Sequence, residues 1–336
     1  MKKLLSLLVV VVIISVLGIG WSLSVSNQSK EVPLEKVTIN LKWVHQAQFA
    51  GNYVAKEKGF YKNEGLDVTL EPFSYEESTI DSVLSGEADF GIAGAEELLV
   101  ARQLGKPVKA IGVIYKVNPV ALYTLKSSGI TKPQDLIGKI VGIEKGINVE
   151  YLYEAMMSKL NIDRSKITEI PVGYDASELL TGKVDVSSGY IINEPQLAVE
   201  AGHEITTILM GDYGVNMYAD VIFTSDEMIE KNPDLVTGVL RATLTGWQYA
   251  IENQNEAVDI TLKYATSTTK IHQLNMLNSS VPLINTGKGD LGWMDRVSWD
   301  RAQGIMFEHG IMTEKINVDD VFTLKFLEEI YKDETP

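Results

Sequence analysis

Two short stretches carry side chains able to hold a flat, polar small molecule. In Lys42-Trp43-Val44-His45-Gln46 an indole follows a β-rich run and has polar neighbours rather than a core-like sequence around it. Just past a strand, such a ring projects over a cleft and offers a stacking face worth about 1–3 kcal/mol. In Asn193-Glu194-Pro195 a carboxamide and a carboxylate open a helix pattern, with proline at a first-turn position. The carboxylate could accept from a ring N–H and an exocyclic amine through two charge-assisted bonds. The same residues would also serve as a plain helix start, the acid being favoured there by the helix dipole. Tyr190 offers a second stacking ring, and His45 and Gln46 follow the first. Glu96, Tyr115, Asn118, Asn148, Tyr218 and Asp220 fall after expected strands or in the connections between lobes, and complete the candidate ligand-binding set.

Other chemistries lack their residues. The five arginines, Arg102, Arg164, Arg241, Arg296 and Arg301, lie away from these positions. A sulfonate or other fixed anion would normally recruit one, although helix N-termini alone can bind anions. His45, His203, His272 and His309 are scattered, without the paired spacing of a zinc site. Cysteine is absent, which removes disulfides, thiolate ligands, cysteine nucleophiles and a lipid-modified cysteine anchor. Gly287-Lys288-Gly289-Asp290-Leu291-Gly292 spells a dinucleotide-type glycine pattern, but no strand clearly precedes it, and a polar loop before a helix near Arg296 is expected instead. With 30 basic against 45 acidic residues, the net charge of −15 and the lack of a basic stripe argue against nucleic acid as a partner. No metal and no cofactor is expected.

The elements that position these residues follow from periodicity. From Val37 onward short β-rich runs alternate with longer helical patterns, the signature of α/β lobes with mostly parallel strands. Residues 37–41 read as the first strand, 49–59 as a helix stopping at Gly59, and 66–70 as the second strand. A repeat then appears: Leu84-Ser85-Gly86-Glu87-Ala88-Asp89-Phe90-Gly91 matches Leu180-Thr181-Gly182-Lys183-Val184-Asp185-Val186-Ser187. Each copy follows a helix expected to open with capping-box spacing, at Ser74 with Glu77 and at Asp175 with Glu178. A duplicated helix-glycine-strand unit implies two similar lobes facing each other across a cleft, with ligand at the carboxyl ends of the strands. The expected lobe one comprises residues 36–125 plus 221–336 and lobe two residues 126–220, with crossovers near 123–126 and 219–222. Residues 234–253, 255–264 and 296–309 read as amphipathic helices completing lobe one.

Lys2-Lys3 followed by an apolar run over residues 4–20 has the regions of an export signal. Residues 1–23 are expected to be a signal peptide or an uncleaved membrane anchor, residues 24–35 a flexible linker, and the rest extracytoplasmic. Ser22-Leu23-Ser24 is a poor cleavage signal, which keeps the anchor in play.

The run Leu41-Lys42-Trp43-Val44-His45-Gln46-Ala47-Gln48-Phe49-Ala50-Gly51, continuing through Tyr53-Val54-Ala55-Lys56-Glu57-Lys58-Gly59-Phe60-Tyr61, resembles the family of thiamine-pyrimidine and sulfonate binding proteins of ATP-driven importers. Glu64-Gly65-Leu66-Asp67-Val68, Asp89-Phe90-Gly91-Ile92-Ala93-Gly94, Asp135-Leu136-Ile137-Gly138-Lys139-Ile140-Val141-Gly142 and residues 190–195 extend the match. The resemblance implies an α/β, two-lobed periplasmic-binding-protein type II fold with a hinge and an inter-lobe cleft, and a tryptophan, here Trp43, stacked on the ligand ring. It further implies a substrate-binding subunit, monomeric by default, that docks on the permease and ATPase subunits of an ABC importer. The expected ligand is a thiamine-precursor pyrimidine of the formylaminopyrimidine or hydroxymethylpyrimidine type, with a riboflavin-like heterocycle next and a sulfonate or nitrate third. The same family includes the yeast-type thiamine pyrimidine synthase, whose pyridoxal-binding lysine and nearby histidine match Ala93 and Glu97 here. Its cysteine-rich run matches residues 214–220, which hold no cysteine. An enzyme is therefore not expected. A membrane-tethered sensor domain is the remaining alternative class.

Overall fold

Alternating burial sets the strands. In β1 (Glu35–Asn40) Val37 and Ile39 turn into the core, and in β2 (Leu66–Glu71) Leu66, Val68 and Leu70 are buried while Asp67, Thr69 and Glu71 face solvent. The computed structural model describes residues 33–74, 76–145, 148–287 and 289–333; the expected export signal or anchor and residues 24–32 of the linker lie outside them. Among the described residues no helix is long and apolar enough to cross a membrane.

The remaining strands are β3 (Phe90–Ala93), β4 (Val108–Tyr115), β5 (Val120–Leu125), β6 (Ile140–Ile143), β7 (Thr168–Pro171), β8 (Val186–Tyr190), β9 (Ile205–Leu209) and β10 (Ala219–Ser225). Among the described residues the strands form two five-stranded sheets, ordered β2-β1-β3-β10-β4 and β7-β6-β8-β5-β9. In each, the first three strands are parallel and the fourth is antiparallel to both neighbours. The two sheets therefore share one plan, the two-lobed α/β architecture expected from the repeat.

The repeat has a specific structural job. Asp89 ends the turn after the helix Thr79–Ser85, and its carboxylate accepts from the Thr38 N–H at 2.8 Å; Asp185 does the same for the Ile140 N–H, also at 2.8 Å. The carbonyls of both aspartates accept from a threonine hydroxyl on the antiparallel strand, Thr224 and Thr124 respectively, each at 2.6 Å. One polar set is thus built twice, and it fixes the register of the parallel strands whose far ends point at the cleft.

Two boundaries differ from the sequence expectation. β5, expected in lobe one, pairs with β8 and β9, so the chain leaves the first sheet between Tyr115 and Val120 and returns between Leu209 and Ala219. Residues 120–125 are apolar and extended like β4, and only non-local pairing distinguishes the two sheets. The helix Thr79–Ser85 is capped by Ser78, whose hydroxyl accepts from the Asp81 N–H, rather than by Ser74 with Glu77. In the second copy Asp175 accepts from the Ser177 N–H at 2.8 Å, an Asx turn instead of a capping box. The helix Lys270–Ile284 was not expected, because Pro282 interrupts its pattern; it starts at Thr269, which accepts from the His272 N–H. Gly287 and residues 289–292 lie outside helices and strands, Lys288 falling outside the described residues, and Asp295 caps the helix Arg296–Glu308.

Close packing of the long helix Pro233–Glu252 on Ala50–Glu57 depends on glycine. A β-carbon at Gly246 would stand 2.2 Å from the Gly51 carbonyl oxygen. Gly246→Ala is expected to lose about 1–3 kcal/mol through overpacking, which a thermal melt would register as a drop of several degrees; an unchanged melting temperature would contradict this packing.

Candidate ligand-binding site

Lys42 and Trp43 follow β1, Glu96 and Glu97 open the helix after β3, Glu144 follows β6, and Tyr190 ends β8. Asn148 opens the helix Asn148–Lys159, and Asn193 and Glu194 open the helix Glu194–Glu200. These carboxyl ends of parallel strands enclose a cavity of about 250 Å³. Lys42, Trp43, Gln46, Gln48, Glu97, Phe73, Ser74 and residues 76–79 line it from the first lobe, and Glu144, Asn148, Tyr190, Asn193 and Glu194 from the second.

The Trp43 indole stands edge-on to the Tyr174 ring, with centroids 4.4 Å apart and an interplanar angle of 86°, and lies 5.8 Å from the Phe73 ring. Tyr174 belongs to the second lobe, so an aromatic bridge crosses the cleft. The Tyr190 hydroxyl accepts from the Asn148 amide at 2.8 Å.

Glu194 has a fixed orientation. One carboxylate oxygen accepts from the Tyr190 N–H at 2.8 Å and the other from the Asn193 amide. A β-carbon on Gly189 would lie 2.6 Å from the first oxygen, so the close approach requires glycine. Burial pushes the Glu194 carboxyl up to about 7. Burial, and then the neighbouring Glu194 charge, pushes Glu144 well above the ordinary carboxylate range. One oxygen of Glu144 is buried without a hydrogen-bond partner among the described residues. Two coupled acids on one wall resist simultaneous ionisation, so a ligand bringing N–H donors would meet acceptors whose charge it stabilises.

The opposite wall holds a buried cation. The Lys42 ammonium has no hydrogen-bond partner among the described residues, lies 3.7 Å from a Glu97 oxygen and stands 5.8 Å from the Tyr190 ring centre. Burial opposes its charge, but Tyr190, Glu97, Asp220 and Glu96 together hold the proton more firmly than usual. Behind it, Glu96 is fully buried with neither oxygen partnered among the described residues, and burial pushes it up to about 8. Burial pushes Asp220 up to about 6, Lys42 opposing; its carboxylate accepts from the Gln48 amide at 2.8 and 3.1 Å. Asp220 sits at φ +49°, a left-handed conformation that Asp tolerates better than most residues and that often marks functional positions.

These acids make stability pH-dependent. Glu96, Glu194 and Asp220 keep protons in the folded chain at pH values where the unfolded chain has released them. The unfolded state therefore gains on the folded one as pH rises, and the melting temperature is expected to fall between about pH 5 and pH 8. Below about pH 4 the trend reverses, because ion pairs such as Lys263 with Glu57 and Lys106 with Asp81 hold those surface carboxyls low. A melting temperature rising from pH 5 to 8 would contradict this.

Of the residues singled out from sequence, Trp43, Gln46, Asn148, Tyr190, Asn193 and Glu194 line the cavity, while Glu96 and Asp220 lie beside Lys42. The others turn elsewhere. His45 hydrogen-bonds the Tyr53 hydroxyl at 3.0 Å and lines an adjoining chamber. Tyr115 donates to Ser280 and Tyr218 to Asp295. Asn118 caps the Val120 N–H at the crossing between lobes. Lys42, Gln48, Phe73, Glu97 and Glu144 were missed as lining residues; the strand-end rule that found Glu96 would also have found Glu144.

The model of the family described as NMT1/THI5 like matches residues 46–257. The chain belongs to that family. Its relatives include the riboflavin-binding protein RibY of Chloroflexus aurantiacus, 28% identical over 88% of this chain and 86% of that one. The formylaminopyrimidine-binding protein of Halalkalibacterium halodurans is 25% identical over 96% and 98%. The 4-amino-5-hydroxymethyl-2-methylpyrimidine phosphate synthase of Legionella pneumophila is 28% identical over 90% and 95%. Among solved structures, the periplasmic aliphatic sulphonate binding protein SsuA of Escherichia coli superposes with a TM-score of 0.69 at 15% identity, over 85% of this chain and 91% of that one. A Candida albicans gene product with the generic periplasmic binding protein fold gives 0.63 at 16%, over 86% and 96%. This NMT1/THI5-like chain thus has the two-lobed periplasmic-binding-protein fold, and its cavity lies at the strand ends of both lobes.

Proposed function

We propose that the chain is the extracytoplasmic substrate-binding subunit of an ABC importer and that its ligand is an aminopyrimidine precursor of thiamine. The observation that carries the ligand assignment is the Glu144, Asn193 and Glu194 wall facing Trp43 across a cavity of about 250 Å³. That volume lies below the ~300–1,000 Å³ usual for drug-sized ligands and suits one substituted ring. The pyrimidine stacks on Trp43, its amine and ring nitrogen edge meets Glu194, and its oxygen substituent takes the donor that Lys42 has free. Among the described residues five glutamates and one lysine line the cavity, Glu76, Glu77, Glu97, Glu144 and Glu194 against Lys42, which disfavours sulfonate and nitrate. The relative named for formylaminopyrimidine aligns over nearly its whole length. Binding is coupled to lobe closure through differential affinity for the closed form, which then docks on the permease and its ATPase, with export or anchoring through residues 1–23.

Synthase chemistry is disfavoured. Ala93, at the position of the pyridoxal lysine, ends β3 and is fully buried. Lys42 offers an amine, but one whose charge is held by its neighbours is a poor nucleophile. Borohydride trapping of pyridoxal phosphate should give no adduct; a labelled Lys42 would revive the enzyme reading.

A second reading, riboflavin, rests on the RibY relative and on an adjoining chamber of about 510 Å³ that shares Trp43, Gln46, Phe73 and Asn193 with the first cavity. A thermal-shift screen of the protein against aminopyrimidines, flavins, nitrate and sulfonates separates them. A ligand at a hundred times its dissociation constant adds about 2.7 kcal/mol to folding. Stabilisation by hydroxymethylpyrimidine or formylaminopyrimidine is expected; a response to riboflavin alone would move the site into the joint chamber. Lys42→Met should weaken formylaminopyrimidine about tenfold, the loss of one charged hydrogen bond, and should spare an analogue without the oxygen. Equal losses for both would remove Lys42 from ligand recognition.

A further inference from the structure

Glu144 follows β6 on the second-lobe wall of the cavity and is only 3% exposed. Its place is set by the backbone: the Glu144 N–H donates to the Ser188 hydroxyl on β8 at 2.9 Å, a contact that asks nothing of the side chain. The carboxyl has no such compensation. One of its oxygens is buried without a hydrogen-bond partner among the described residues, and the neighbouring Glu194 charge adds repulsion to the cost of burial. Glu194 differs, because both of its oxygens accept within the second lobe, from the Tyr190 N–H at 2.8 Å and from the Asn193 amide. Of these two acids, Glu194 is oriented by the chain, and Glu144 retains an acceptor that folding does not use.

A buried acceptor left unmet costs stability, so such a group on a cavity wall points to a partner that arrives with the ligand. The last torsion of a glutamate is broad, and a turn about it exchanges the two oxygens, so the unmet acceptor can be presented to the cavity that the side chain lines. The group it would meet is an N–H. A primary aromatic amine carries two, both in the ring plane and pointing to opposite sides of the C–N bond. An aminopyrimidine paired with Glu194 through its ring-nitrogen edge uses the N–H on that side and keeps the other. That second N–H donates to a carboxylate oxygen or to the carbonyl oxygen of a protonated acid, so the contact needs no proton to move between the ligand ring, Glu144 and Glu194.

We propose that Glu144 is a specificity-determining residue of the cleft, its unmet oxygen accepting the second N–H of the ligand's primary amine while Glu194 takes the first. This rests on the aminopyrimidine reading of the same site and deepens it: the wall distinguishes a ring that carries a primary amine from one of similar shape without it. Glu144 stands at the end of β6 and Glu194 at the start of a helix, so the two acceptors are held by separate elements of one lobe and the amine bridges them.

Calorimetric titration of the wild type, Glu144→Leu and Glu144→Gln with hydroxymethylpyrimidine tests this. The leucine variant fills similar space without an acceptor and should bind about 10–100-fold more weakly, the loss of one buried hydrogen bond to an acid group. The glutamine variant keeps a carbonyl oxygen and should recover most of the affinity. The analogue of hydroxymethylpyrimidine that lacks the amine should not distinguish wild type from Glu144→Leu. Without ligand, the melting temperature of Glu144→Leu should equal or exceed that of the wild type, because nothing in the fold offsets the burial of the acid. A fall of several degrees would give Glu144 a structural partner and overturn the proposal. Unchanged affinity in Glu144→Leu, equal losses in the leucine and glutamine variants, or an equal loss for the amine-free analogue would overturn it as well. Failure of hydroxymethylpyrimidine to bind the wild type would instead sink the aminopyrimidine reading, and the proposal with it.

Discussion

Glu194→Gln is expected to weaken pyrimidine binding by about 10²–10³-fold, the loss seen when one partner of a buried, charge-assisted pair is removed. The substitution keeps the shape, and its carbonyl oxygen can still accept from the Tyr190 N–H. It places an amide nitrogen where the Asn193 nitrogen and the ligand's own N–H groups both need an acceptor. The melting temperature of the variant should not fall, because burial already disfavours the Glu194 charge and the neutral amide removes that burden as well as the repulsion with Glu144. Lost binding with retained or raised stability would mark Glu194 as a ligand group. Lost stability with unchanged affinity would mark it as a helix-start residue only.

Trp43→Ala is the second large effect. Losing one stacked ring removes about 1–3 kcal/mol, and the cleft also loses the surface that packs on Phe73 and Tyr174. Affinity should fall by about 10–100-fold, with some loss of stability because the bridge between lobes goes with it. Trp43→Phe keeps a ring and should stay within about tenfold of wild type. Titration calorimetry gives both affinities. If Trp43→Ala binds as tightly as the wild type, the ligand lies in the adjoining chamber or elsewhere.

The duplication was legible in sequence because it is local. Asp89 and Asp185, with the glycines before them, fix a turn and a strand register within a few residues of the chain. Pairing was not legible. β4 and β5 read alike as apolar extended runs, and only the partners they meet, β10 for one and β8 with β9 for the other, assign them to different sheets. The site divided the same way. Trp43 and Glu194 stand at strand and helix ends that the pattern locates. Tyr174 and His272 reach the cleft from across the lobes, and neither has a local signal. Lys42 was hidden by its type: an exposed lysine is the ordinary expectation, and its burial follows from Glu96, Glu97 and Asp220 converging from β3 and β10.

Calorimetric titration of the wild-type protein with formylaminopyrimidine and hydroxymethylpyrimidine, each repeated on Glu194→Gln, is the most direct test of ligand capture in this cleft. A dissociation constant of about 1 µM or tighter for at least one of them, corresponding to about −8 kcal/mol, and one about 10²–10³-fold weaker with the variant are expected. Absence of binding to either pyrimidine, with saturable binding of riboflavin or a sulfonate, would contradict the assignment.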